Sequence, residues 1–133
     1  MSLNSALNKG SLSAKTREQL ALTVGQANEC EYCVAAHTVL GAKAGITPQE
    51  ILDARRGAAA FDRESHAALK LARAIINARG QVSDADVTEA RSAGLDDGKI
   101  AEVVGAVGLN VLTNYFNILA GTEVDFPKVP LAL

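Results

Sequence analysis

Two thiols and an imidazole crowd one stretch of this 133-residue chain, Glu29-Cys30-Glu31-Tyr32-Cys33-Val34-Ala35-Ala36-His37. It holds both cysteines and one of the two histidines. Cys30 and Cys33 are three apart, and Cys33 and His37 are four apart. On a helix these spacings put all three side chains on one face. A thiol reacts as its thiolate, and an ordinary cysteine, with a pKa of about 8.5, needs help to ionise. A helix that starts near Cys30 supplies some of it: both sulfurs then sit in the first turn, where unpaired N–H groups and the helix dipole favour an anion. His37, one turn on, is a group that accepts or relays a proton. The chemistry these residues suit is reversible redox at sulfur.

A carboxylate that fixes the imidazole tautomer would complete such a relay. Glu18, Glu29 and Glu31 are the nearby choices. Glu29 and Glu31 flank Cys30 and are expected to face solvent. Glu18 lies on the preceding helix, which the break at Asn28-Glu29 should fold back toward His37. Blander readings stand beside these. The cysteines suit a buried position in an Ala-rich helix, His37 an interface, and Glu18 a solvated ion pair with Lys15. Zinc is a further alternative, with Cys30, Cys33 and His37 as three ligands and His66 or Glu18 as the fourth, although structural zinc sites usually draw their ligands from two knuckles. A c-type haem site is excluded because Val34, not His, follows Cys33.

The elements that must position these groups read as helices. Residues 1–12 look like a loose leader. Ser13 is an N-cap for a helix over about residues 14–27, with Leu20, Ala21, Val24 and Ala27 at helical spacing. A second helix runs from near Cys30 to about Ala44, with Gly45 as its stop. Thr47-Pro48-Gln49-Glu50 is a capping box with Pro at N1 and opens a short helix to about Arg56. Asp62 or Arg63 opens another, ending at Gly80. Ser83 opens a fifth, ending at Gly94. Asp96 or Asp97 caps the longest, about residues 98–120, which Gly121 ends. No stretch alternates with period two, so the fold class is all-α, about six helices, with CxxC at the start of the second. Residues 1–133 read as a single domain, and the proline-bearing segment 122–133 as an extended tail.

Net charge is −2 with no basic run, which argues against a nucleic-acid partner. The opening Met1-Ser2-Leu3-Asn4-Ser5 is polar and lacks the apolar core of a secretory signal, so a cytoplasmic, reducing compartment is expected. There a cysteine pair reads as catalytic or metal-binding rather than as a staple. The last helix is apolar enough to raise the question of a membrane span. Glu102 and the seam Asn110, Asn114 and Asn117 argue against one. The seam suggests interhelical hydrogen bonding, and the apolar remainder suggests burial in a homo-oligomer.

Arg17-Glu18 followed by Asn28-Glu29-Cys30-Glu31-Tyr32-Cys33-Val34-Ala35-Ala36-His37-Thr38 resembles the carboxymuconolactone decarboxylase-like superfamily, in particular its alkylhydroperoxidase D-like branch. The resemblance is strongest over residues 13–47 and continues through Thr47-Pro48-Gln49-Glu50 and the Asn-bearing last helix. It implies an all-α fold assembled as trimers or hexamers, and a thiol peroxidase or disulfide reductase with no metal and no organic cofactor. By that likeness Cys33 would attack a hydroperoxide, and Cys30 would resolve the sulfenic acid to a Cys30–Cys33 disulfide. Glu18 and His37 would relay the proton, and a dithiol or thioredoxin-like reductant would reopen the disulfide. Some peroxidase members carry a His where this chain has Tyr32, and a phenol is a poor base near neutrality. That departure keeps an alternative in view: a non-catalytic redox-sensing or disulfide-exchange module. The decarboxylase branch lacks the CxxC, so decarboxylation is not implied.

Overall fold

The computed structural model describes residues 2–60 and 62–133. Its described residues form seven helices and no strand: α1 (Leu3–Asn8), α2 (Ala14–Ala27), α3 (Glu31–Lys43), α4 (Pro48–Arg55), α5 (Arg63–Ala78), α6 (Asp84–Ser92) and α7 (Asp97–Ala120). The all-α class and the positions of the six expected helices match the sequence reading. α1 is the addition, so the CxxC opens the third helix rather than the second. It replaces the expected loose leader, whose first residue, Met1, lies outside the described residues.

Long-range contacts explain why the leader is ordered. Ser2 caps α1 through the Ser5 N–H, and Leu7 is buried against α7. The Glu102 carboxylate of α7 accepts from the backbone N–H groups of Ser11 and Leu12, at 2.7 and 2.9 Å. Gly10 passes so close to that carboxylate that a Cβ there would run into it. Apart from the Ser2 cap, these partners lie some ninety positions away in α7.

α2 is the central element and packs against α3, α4, α5 and α7. Residues 19–25 are buried without a break, so this helix has no solvent face over two turns. Only Ala27, expected on the apolar stripe, is exposed. Polar groups inside are paired across helices: Thr23 Oγ1 donates to the carbonyl of Ala54, and Thr16 Oγ1 bonds Ser65 Oγ at 2.9 Å. Such pairing offsets the cost of removing hydroxyls from water.

α7 crosses the bundle with one stripe inward. Val103, Ala106, Val107, Asn110 and Asn114 are buried, following the 3, 4 and 7 spacing of one helix face. By length and composition the helix is apolar enough to cross a bilayer, yet this stripe lines the core of the protein. The opposite face leaves Val104, Leu112, Tyr115, Phe116, Ile118 and Leu119 exposed. The tail that follows runs back extended over the chain's own helices. Arg55, itself buried, donates to the Pro130 carbonyl, Gln26 donates to that of Leu131, and Phe126 meets Tyr32 edge-on at 5.6 Å.

Candidate active site

A single tight turn sets the sulfurs. Asn28 is the C-cap of α2, and Glu29 follows in the left-handed region at φ 54°. The N–H of Glu29 bonds the Gln26 carbonyl, and that of Cys30 bonds the Gly25 carbonyl. This is a Schellman closure with a glutamate where glycine is usual. Cys30, its last residue, is already the N-cap of α3, and its Sγ accepts from the Cys33 N–H at 3.3 Å. Both cysteines thus sit at the N-terminus of α3, where backbone donors and the dipole favour an anion. They form a disulfide with Cα atoms 5.2 Å apart, and both are almost fully buried.

The same turn reverses the chain and lays α2 beside α3. Glu18 and His37 then meet: Glu18 Oε2 lies 2.7 Å from His37 Nδ1. Each side chain is about a quarter exposed, at 24%, so the pair touches both solvent and protein. Lys15, the other partner weighed for Glu18, instead bonds Glu50 Oε1 at 2.6 Å. Glu29 and Glu31 are exposed.

The sequence-identified groups open onto two different clefts. Glu18 and His37 line one of about 320 Å³, together with Arg17, Asn110 and Thr113. Cys30 lines another of about 230 Å³, with Glu31, Tyr32 and Asn117. α3 carries groups of both, so the sulfur end and the imidazole end of one helix face separate spaces.

The Asn seam of α7 divides among three tasks. Asn110 bonds the Ala106 carbonyl of its own helix. Asn114, fully buried, accepts from Asn28 Nδ2 at 3.0 Å and so ties α7 to the end of α2. Asn117 Nδ2 donates to Cys33 Sγ at 3.6 Å. Sequence reasoning grouped these amides by spacing and missed the sulfur contact. The signal was present in their period, but not the partner, which lies 84 positions away.

Tyr32, between the cysteines, packs on Phe126 and lines the cleft at Cys30. His66, weighed as a zinc ligand, is exposed on α5, and its Nδ1 accepts from the Ala59 N–H. Among the described residues no three His, Cys, Asp or Glu side chains converge as a metal site requires.

The model of the carboxymuconolactone decarboxylase family matches residues 1–74. No curated protein sequence matches the chain. Among solved structures, a peroxidase-related protein from Silicibacter sp. TM1040 superposes with a TM-score of 0.80 at 24% identity. The match covers 91% of this chain and 65% of that one. A second, an alkylhydroperoxidase AhpD core and peroxidase-related protein from Ralstonia eutropha JMP134, gives 0.83 at 23% identity. It covers 92% of this chain and 67% of that one. The chain therefore spans about two-thirds of the length of these neighbours, and at such identities the likeness is one of fold. The matched segment runs from α1 into α5 and contains Glu18, Cys30, Cys33 and His37, and with more than half of its length so matched the chain belongs to the carboxymuconolactone decarboxylase family.

Proposed function

We propose that the protein is a dithiol-dependent hydroperoxidase of the alkylhydroperoxidase D type, with Cys30 and Cys33 as its redox pair and Glu18 and His37 as its proton relay. The observation that carries this reading is the joint geometry: a CxxC disulfide at the N-terminus of α3, with an imidazole one turn further along that helix held at 2.7 Å by a carboxylate of α2. The family membership supports it. The two structural neighbours, themselves peroxidase-related proteins, share its fold.

The cycle begins with reduction. A thiolate of an external dithiol attacks Cys30 Sγ from the cleft that Cys30 lines, and the disulfide electron pair leaves on Cys33. The second thiol of the reductant then displaces Cys30, giving the oxidised reductant and the free pair. In the oxidative half, the Cys33 thiolate attacks the terminal oxygen of a hydroperoxide. The O–O bond breaks, Cys33 becomes a sulfenic acid, and the proton that left the Cys33 thiol reaches the departing alkoxide by relay through the part-exposed His37. Glu18 holds His37 through Nδ1, leaving Nε2 for that transfer. Cys30 then attacks the sulfenic sulfur, restoring the disulfide and releasing water. The sum is hydroperoxide plus dithiol to alcohol, water and disulfide.

The working form is a homo-oligomer, trimer or hexamer, in a reducing cytoplasmic setting. The exposed apolar face of α7 supports the oligomer. Neither nucleic acid nor membrane is among its partners. The direct test is turnover of an organic hydroperoxide by the reduced protein with a regenerating dithiol. Loss of turnover in Cys33→Ser supports the mechanism, and full turnover in that variant refutes it.

One observation favours a second reading, a redox-sensing module. Tyr32 is engaged with Phe126 of the tail beside Cys30, so opening the disulfide would be felt by the tail. That reading expects reversible oxidation with negligible turnover and a change in sedimentation between the two redox states.

A further inference from the structure

Among the described residues Asn117 is the one side chain of α7 that hydrogen-bonds a sulfur, its amide donating to Cys33 Sγ at 3.6 Å. It continues the buried stripe of Val103, Ala106, Val107, Asn110 and Asn114 by a further three residues. An aliphatic residue would fill such a half-buried position without the desolvation cost of an amide. The other two seam residues have structural partners, Asn28 and the Ala106 carbonyl. Asn117 donates to sulfur, and a neutral disulfide sulfur is a weak acceptor. A thiolate in the same place is a charged acceptor, and the bond to it is shorter and stronger. The contact is therefore worth more in the reduced, ionised state than in the oxidised one. An interaction that strengthens as charge develops acts on the chemistry and not only on packing.

We infer that Asn117 is a catalytic residue of this site, whose amide holds the Cys33 thiolate and makes Cys33 the sulfur that ionises and departs. The inference rests on the proposed redox cycle and adds a third helix to its machinery. When a dithiol thiolate attacks Cys30 Sγ, the Cys30–Cys33 bond breaks and its electron pair arrives on the atom that Asn117 faces. In the oxidative half the same amide keeps Cys33 ionised until it attacks the peroxide oxygen. The ionisable groups nearest the pair are Glu31, Tyr32 and His37 on α3, Glu18 on α2 and Glu29 in the turn. Ile118, Thr122 and Val124 of the cleft at Cys30 contribute no charge, so Asn117 is the donor that α7 offers.

The test reads thiol ionisation rather than turnover. In a Cys30→Ser background only Cys33 alkylates, and its rate with iodoacetamide is followed against pH by mass spectrometry. Asn117→Leu should raise the apparent pKa by about half a unit or more, and Asn117→Asp, which swaps a donor for a like charge, by more still. Alkylation at pH 7 should fall about threefold or more in both, and Asn117→Gln, which keeps the amide, should recover part of the shift. Profiles of the Leu and Asp variants that coincide with the parent, at unchanged helical content, would overturn the inference. Should the variants not fold, the unsubstituted reduced chain decides: the Asn117 side-chain amide resonance must move with the Cys33 titration, and an amide that stays fixed through it overturns the role. Because neither readout needs peroxide, absent turnover would remove the peroxidase reading alone, and an unmoved pKa would remove Asn117 alone.

Discussion

Cys30 and Cys33 share one bond but not one environment. Cys30 Sγ takes a backbone N–H from its own turn, whereas Cys33 Sγ takes a side-chain amide from α7. His37 stands one turn beyond Cys33 and is fixed by Glu18. Glu18→Gln retains a hydrogen-bond partner for Nδ1 but removes the carboxylate from the relay. It should lower hydroperoxide turnover by about a hundredfold, the scale of a lost general acid–base contribution, while thiol titration still counts two cysteines after reduction. Turnover within twofold of the parent would show that the carboxylate is structural. The spacing of Cys30, Cys33 and His37 made this part of the site legible, since all three lie on one helix. Glu18 was legible only because a helix break at Asn28-Glu29 implies a reversal. Asn117 was not, because its partner is fixed by how α7 crosses α3, and no local pattern encodes that crossing.

The helices report their ends faithfully in the sequence. Ser13, Thr47, Asp62, Ser83 and Asp96 each accept from the N–H three residues on, as capping residues do. Thr47 and Glu50 close a full capping box, and the same carboxylate takes Lys15 of α2. The hydrogen bond from Lys15, followed by those of the cap, lowers the Glu50 pKa from 4.5 to about 2. A carboxylate with a depressed folded-state pKa adds stability above its unfolded value, and that stability is lost as pH falls through the folded one. Glu50→Gln should therefore lower stability by about 1 kcal/mol at pH 7, and the difference should close between about pH 4.5 and 2. Thermal melts of both proteins across that range check it, and a gap that persists at pH 2 would contradict it. The Schellman turn offers a second test. Glu29 is exposed and left-handed, a conformation that costs a Cβ-bearing residue energy and glycine none. Glu29→Gly should raise the denaturant midpoint by a few tenths to about 1 kcal/mol of stability, whereas a lowered midpoint would mean that Glu29 has a role the turn does not explain. α1 escaped the sequence because six residues carry too little periodicity. What orders it is Glu102, far along the chain.

Across the whole molecule, one helix is half core and half unpartnered surface. Leu119 is 90% exposed, and Leu112 and Phe116 are each 67% exposed, a contiguous apolar face larger than scattered surface residues explain. Light scattering should give a mass several times 13.8 kDa, and Phe116→Asp with Leu119→Asp should reduce it to the single-chain value. A single-chain mass for the unsubstituted protein at micromolar concentration would contradict the oligomer. The sequence showed that this helix is too apolar for its length, but not which face the bundle would consume. That depends on α2 and α5, both of which pack against α7. Function in this protein turns on whether the disulfide at the α2–α3 turn cycles. The most direct measurement is hydroperoxide consumption by the reduced protein with a dihydrolipoamide-regenerating system, run beside Cys33→Ser. A cycling disulfide gives sustained turnover that the substitution abolishes. No turnover in a parent protein with two titratable thiols, or equal turnover in both proteins, would contradict it.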